Sequence, residues 1–346
     1  MPRDIEKRRG KRYNIFYVKE GKGGGGLKEL ISLPASEIAA FEGGAEREIR
    51  AAGCDGAELI WSGEDLPAAL PCPDCLGYHL VFYPDWIDLW NEDFAALERK
   101  FGSEEKWRAF FGGGREELVA TYAADMARAA EAGAKYAVFH VSDVSVEEGY
   151  TYEWLHSDEA VIDAAAELIN LLCEREKPPF SVLVENQWWP GFTFTDPKKT
   201  ARLLDAIETD DKGILLDVGH LMNANTALRT QEEGAEYVAE MVRAHGKLAE
   251  RIRAMHLHYS LSGEYVRANT GRLPADLPEE YFERFAYSYA HILNIDRHQP
   301  WTSPAVRGLV ELVSPEYLTH ELSASGPEAR LAAVRIQRAA LWGEKA

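Results

Sequence analysis

The sequence predicts a (β/α)8 barrel, and three observations predict it. Short apolar runs alternate with segments of helical period along almost the whole chain. The 346 residues accommodate eight strand-helix steps with long loops. Six consecutive runs end on an acid or a histidine: His79, His140, Glu185, Asp217, His256 and Glu321. Parallel strands of a barrel deliver their C-terminal ends to one rim, which is where such residues are useful. The competing fold, an open doubly wound sheet, would not bring the third and the eighth strand ends to one place.

In chain order, residues 1–12 form a polar basic tail with Lys7, Arg8, Arg9, Lys11 and Arg12. Tyr13–Val18 reads as the first strand, and glycine-rich 21–26 as a loop. A helix is expected over Ser36–Ala52 with Ser36 as its cap, then a second strand in GAELIW (56–61). The third and fourth strands end at His79 and His140, separated by a long helix that stops at Gly133. A helix over Asp158–Glu174 leads to SVLVE, which ends at Glu185. Asp196-Pro197 opens the next helix, a usual start signal, before ILLD ending at Asp217. A helix from Gln231 to Arg251 precedes RAMH, and the strand in EYLTHE is followed by a helix over Pro327–Trp342. No repeat, linker or low-complexity segment divides the chain, so 13–346 is expected to be one barrel domain.

Composition narrows the function. With 57 acids against 38 bases the net charge is −19, which opposes a large nucleic-acid footprint built on Lys and Arg. The basic tail reads as a solvated segment. No run approaches the roughly 20 apolar residues of a membrane span, and the N-terminus lacks an apolar signal core. A cytoplasmic protein is expected, and the four cysteines suit a reducing compartment. Homo-oligomerisation is left open.

Imidazole and carboxylate ligands suit divalent Mn, Zn, Co, Mg or Fe, and a mixed N/O set without thiolate favours a catalytic over a structural site. One such residue at a strand end is ordinarily a satisfied polar group. Six in succession are hard to assign to packing, because burying charge in apolar strands is costly unless it is paired or metal-bound. Other signals are weaker. Gly21 to Gly26 contains GxGxxG literally, but no acid at a strand end follows about 20 residues later, and the run fits a loop better than a dinucleotide fold. Cys72 and Cys75 form a lone CxxC, read as a turn rather than a redox pair or half a zinc site completed by His79. Trp188, Trp189, Tyr150, Tyr152 and Trp154 follow strand ends, where they could stack on sugar carbons or simply cap the barrel.

On these residues the chain resembles the xylose isomerase-like superfamily of barrels, which includes sugar isomerases and epimerases, inosose dehydratases and endonuclease IV, from about Ile15 to Leu341. In its ketose epimerases one metal is held by a Glu, an Asp, a His and a Glu of strands five to eight, and the resemblance assigns these to Glu185, Asp217, His256 and Glu321. The Asp-x-x-His step to His220 also fits. Endonuclease IV adds a His on strands three and four and a later Asp-x-His; His79, His140, Asp296 and His298 match these, although the interval from His256 to Asp296 is longer than the nuclease pattern leads one to expect. Of His256 and His258, one alone is expected to face the mouth, and His256 is favoured because it directly ends the apolar run.

The resemblance thus implies a divalent-metal-dependent isomerase or epimerase of a small sugar or polyhydroxy-carbonyl compound. Glu185 and Glu321 would move the proton, His220 would hold a substrate hydroxyl, and Trp188, Trp189, Tyr150 and Trp154 would contact the sugar. The alternatives are a lyase or dehydratase on the same site, an endonuclease IV-like multinuclear zinc hydrolase, and a sugar-binding barrel without catalysis.

Overall fold

The computed structural model describes residues 26–61, 63 and 74–343. Eight parallel strands close a barrel: β1 (Lys28–Pro34), β2 (Gly56–Ile60), β3 (Cys75–His79), β4 (Tyr136–His140), β5 (Ser181–Glu185), β6 (Lys212–Asp217), β7 (Ile252–Leu257) and β8 (Tyr317–His320). β8 closes onto β1 in parallel, with His320 beside Ile31. The runs are short and apolar because both faces are covered, one by helices and one by the barrel interior.

Side chains of a strand alternate between those two faces. Leu30, Val138, Leu183, Leu215, Ala254, Tyr136 and Tyr317 form the cluster inside the barrel. Val182, Val184, Ile214, Leu216, Met255 and Leu318 belong to the larger core beneath the helices. Two residues beyond an inward-facing position the next side chain again faces inward. Val138 therefore predicts the direction of His140, Leu183 that of Glu185, Leu215 that of Asp217, and Ala254 that of His256. At Gly77 on β3 an added Cβ would lie 2.5 Å from the ring of Tyr136 and 2.8 Å from Cγ of Glu58, so the bare glycine makes room for both inside the barrel.

The outer helices follow the sequence signals closely. Asp158–Glu176 is capped by the Ser157 hydroxyl, Pro197–Ala206 by the Asp196 carboxylate, and Pro327–Trp342 opens on its proline. Two stretches differ. Expected helix Ser36–Ala52 is a 3-10 turn over Ala35–Ala40 and a separate helix over Ala45–Ala51, interrupted at Gly43-Gly44, and Ser36 caps neither. Expected helix Gln231–Arg251 is α-helical to His245 and 3-10 from Gly246 to Arg251. The basic tail, Tyr13–Val18, most of the glycine run and Cys72 lie outside the described residues. The place in the barrel assigned to Tyr13–Val18 is filled by Lys28–Pro34, whose buried stretch is only four residues long, includes Ser32 and lies close behind the glycine run. The β7–β8 connection carries two helices, Gly263–Asn269 and Tyr281–Ile295, before Ala305–Val313. No helix among the described residues is long and apolar enough to cross a membrane.

Candidate metal centre

Ten side chains converge at the C-terminal mouth in three groups: His79, His140 and Glu185; Glu185, Asp217, His256 and Glu321; and His220, His258, Asp296 and His298. Within each group the donor atoms lie within 4.8 Å of one another. All six strand-end residues read from the sequence are present. So are His220, on the helix that Asp217 caps by accepting from the His220 amide at 2.6 Å, and the Asp296/His298 pair. The long β7–β8 connection does not remove that pair, because its second helix ends at Ile295 and drops Asp296 back onto the mouth, 3.2 Å from His220 Nε2. His298 sits in left-handed backbone (φ 45°), which turns its Nε2 to within 2.5 Å of Asp296 Oδ2.

One expectation is corrected. His256 and His258 both reach the site, since residues two apart on a strand share a face and both are wholly buried. His256 Nδ1 lies 2.9 Å from Glu321 and 3.3 Å from Glu185, whereas His258 joins the Asp296 group. The CxxC cannot complete a zinc site with His79. Cys75 begins β3 and His79 ends it, four residues and about 13 Å away along an extended strand.

Five of the six imidazoles, all but His140, are held by their second nitrogens. His79 Nδ1 lies 3.0 Å from the Leu80 carbonyl, His220 Nδ1 3.0 Å from the Asn186 carbonyl and His298 Nδ1 3.1 Å from the Glu321 carbonyl. His256 Nε2 faces the Glu58 carboxylate at 2.7 Å, and His258 Nε2 faces Asp217 Oδ2 at 3.0 Å. Oxygens of this kind only accept, so in each ring the anchored nitrogen carries the proton and the other offers a lone pair to the centre. Glu58 was not found by sequence reasoning. It is an acid in the middle of an apolar strand, wholly buried, and it accepts from Tyr136 (2.6 Å) and Thr319 (3.2 Å) as well as His256. The Asn186 amide spans β5 and β6, donating to the Asp217 carbonyl at 3.0 Å and accepting from its amide at 2.8 Å.

The electrostatics favour a cation. Burial pushes the Glu185 carboxyl up, yet the surrounding imidazoles, His140 and His256 foremost, hold it well below the ordinary carboxylate range. Asp217 and Asp296 are likewise lowered against burial by neighbouring histidines, and Glu321 is held at about 2, chiefly by His256. Burial would depress His256, His220 and His298, but the carboxylates raise all three, His298 to about 9. His140 shifts down, because burial outweighs Glu185. Both Glu185 oxygens, Glu321 Oε2, His256 Nδ1 and His258 Nδ1 are buried without a hydrogen-bond partner. Donor separations of 2.9–3.5 Å between His79, His140 and Glu185 match the edge of about 3.3 Å expected for tetrahedral ligands at zinc–nitrogen distances. The donors fit a divalent metal.

Of the aromatic residues, Trp188 packs on His220 at 5.0 Å between centroids and on Trp189 at 4.1 Å. Tyr150 instead stacks on His291 at 4.1 Å in a cleft of about 770 Å³ under the β7–β8 insertion, and Trp154 packs on Tyr152 at the surface. Phe82, which sequence reasoning passed over, is half exposed and lies 4.4 Å from the His140 ring.

No curated protein matches the chain in sequence. Among solved structures, it is similar to a D-tagatose 3-epimerase-like protein, at 14% identity over 91% of this chain and 97% of that one, with a TM-score of 0.49. It is also similar to endonuclease IV from Thermus thermophilus, at 18% identity over 92% of this chain and 100% of that one, with a TM-score of 0.48. Residues 47–303 match the family model of the xylose isomerase-like TIM barrel, from the helix before β2 to the end of the β7–β8 insertion. The chain belongs to the xylose isomerase-like TIM barrel family.

Proposed function

We propose that the protein is a hydrolase of small phosphoesters with a multinuclear divalent-metal centre. The observation that carries this reading is the division of Glu185. Its Oε2 lies 2.9 Å from His140 and 3.5 Å from His79, and its Oε1 3.3 Å from His256. A carboxylate that faces a different imidazole group with each oxygen would be able to hold two cations, one with each oxygen. Proton transfer at a single metal, which the sequence resemblance put first, would need only Glu185, Asp217, His256 and Glu321. Beyond these it gives a task to His220, as the holder of a substrate hydroxyl, and none to the other five donors.

Divalent ions held by these three groups would supply Lewis acidity, activating water and offsetting charge on the phosphoryl oxygens. The chain's own contribution is orientation: Glu58, Asp217 and three carbonyls fix which nitrogen is free in every ring but that of His140, and Asn186 locks the end of β5 to Asp217 on β6. Phe82 and Trp188 flank the mouth beside His140 and His220, where they would meet the organic part of a substrate and limit access of water. The net charge of −19 favours a small ester over a polynucleotide.

A second reading, an isomerase, epimerase or lyase, is favoured by one observation. Glu185 and Glu321 both approach His256 Nδ1, at 3.3 and 2.9 Å, as a proton-moving pair at one metal would. The experiment is to load the protein with zinc or manganese, count ions per chain, and assay bis(p-nitrophenyl) phosphate and p-nitrophenyl phosphate. Two or three ions with metal-dependent ester cleavage is expected. One ion, no cleavage and deuterium uptake into a sugar from D2O would replace the hydrolase by the second reading.

A further inference from the structure

We infer that the centre is asymmetric: His258 is a fourth protein donor that closes the His220/Asp296/His298 group, so that this group retains its ion while open coordination is left at His79/His140/Glu185. The inference rests on the metal-binding reading above. A tetrahedral ion with four protein ligands has no position for water or substrate, whereas three ligands leave one. The His79 group has three donors and the Glu185/Asp217/His256/Glu321 group four, but these two share Glu185; the His220 group alone has four donors of its own.

Three observations make His258 a donor rather than a bystander. It is wholly buried, two residues beyond His256 on the inward face. Its Nε2 is fixed as a donor to Asp217 Oδ2 at 3.0 Å, which leaves the Nδ1 lone pair bare, buried without a hydrogen-bond partner and 4.0 Å from Asp296 Oδ1. His256 is built the same way, with Nε2 on a buried carboxylate and Nδ1 toward the centre. The third observation lies on another element. A Cβ added to Gly219 would fall 1.9 Å from His258 Cε1 and 2.3 Å from its Nδ1, so the ring occupies the space of a side chain at 219. Asp217-Val218-Gly219-His220 thus supplies two donors and the seat of a third. The His298 ring lies parallel to that of His258, 3° between planes and 4.1 Å between centroids, and fixes its other side.

The alternative is that His258 only orients Asp217, and the substitution that separates the two is His258→Gln. A glutamine amide can still donate to Asp217 but places no donor where Nδ1 stood. Zinc-loaded protein is dialysed against EDTA, and the retained zinc is counted by mass spectrometry; cobalt absorption reports the geometry of the retained site. Wild type is expected to keep one equivalent with a tetrahedral cobalt spectrum, while His258→Gln and Gly219→Ala lose it and His79→Ala keeps it. Retention of the resistant ion in folded His258→Gln overturns the inference. So does a loss confined to the ions that EDTA strips from wild type. Should Gly219→Ala fail to fold, His258→Gln decides alone; should that variant also fail, retention by His220→Ala would overturn the closed site. Three ions with none resistant would sink this inference and leave the multinuclear reading standing. A single resistant ion dependent on His258 would do the reverse, and no ion at all would sink both.

Discussion

Glu58 holds His256 from beneath the centre, its carboxylate 2.7 Å from Nε2 with both groups wholly buried. Because the carboxylate can only accept, it fixes the ring as the tautomer whose Nδ1 faces Glu185 and Glu321. Substituting Glu58 by Gln is expected to weaken metal binding at the Glu185/Asp217/His256/Glu321 group by about 10–100-fold, the usual effect of removing a partner of this kind. Chelator competition measures it. An unchanged affinity would show that the ring needs no support from β2.

The placement of Glu185 between two groups of donors makes a different prediction. Glu185→Ala should lower bound metal by more than one equivalent, while His79→Ala should lower it by at most one. Counting ions in the two variants after equilibration with zinc checks this, and equal losses would mean that Glu185 serves one ion only.

Much of this centre was legible in the sequence, and the reason is geometric. A barrel strand ends at the rim, so an acid or histidine that closes an apolar run is already at the mouth, and His79, His140, Glu185, Asp217 and Glu321 could be read without coordinates. His256 and His258 illustrate the limit: run-end position identifies the first, but the second follows only from the two-residue alternation and from the space at Gly219 on another strand's turn. Glu58 was hidden because its role depends on the barrel closing β2 across from β7. The first strand was misplaced because Tyr13–Val18 has the stronger apolar pattern, while Lys28–Pro34 is selected by pairing with β2 and β8.

Removal of metal should destabilise the fold. Four carboxylates, the buried Glu185, Asp217 and Asp296 and the partly buried Glu321, line one mouth, and without a cation only protonated imidazoles offset them. A ligand present at about 1,000 times its dissociation constant adds about 4 kcal/mol to the native state. Thermal unfolding with zinc and with EDTA at pH 7.5 should differ by several degrees, and coincident curves would refute it.

Outside the centre, Asp88 and His156 predict a pH dependence of stability. They lie 3.0 Å apart, and Lys100 bridges Asp88 and Asp85 at 2.7 and 2.6 Å. Burial pushes Asp88 up, but the His156 hydrogen bond and Lys100 hold it at about 2. Its contribution is therefore full above the usual 3.8 and lost as pH falls toward 2. The hydrogen bond to Asp88 raises His156 above its usual 6.5, so that contribution is full below 6.5 and lost as pH rises through the folded value. The pair stabilises most between those limits, by on the order of 1 kcal/mol. His156→Ala should lower the melting temperature most near about pH 5.5 and progressively less toward about pH 8.5. A deficit that stays constant across that range would mean the charge on the imidazole contributes nothing.

Duplex DNA should not bind tightly at physiological salt. Phosphate contacts draw affinity from counterion release, and a chain with 19 excess negative charges must gather its bases on one face to make them. The clear basic cluster in the sequence is Arg3 to Arg12, far along the chain from every residue of the centre. At the mouth the carboxylates are offset only by the raised imidazoles or by bound metal, which leaves positive charge for no more than the few phosphate oxygens within reach. A small ester needs no more than those contacts. Titrating a duplex with one abasic site at about 0.15 M salt, with zinc or manganese present, tests the point. The expected result is no submicromolar binding and no strand scission, with p-nitrophenyl esters cleaved under the same conditions. Tight binding with scission would keep the hydrolytic chemistry and change its substrate from a small phosphoester to damaged DNA.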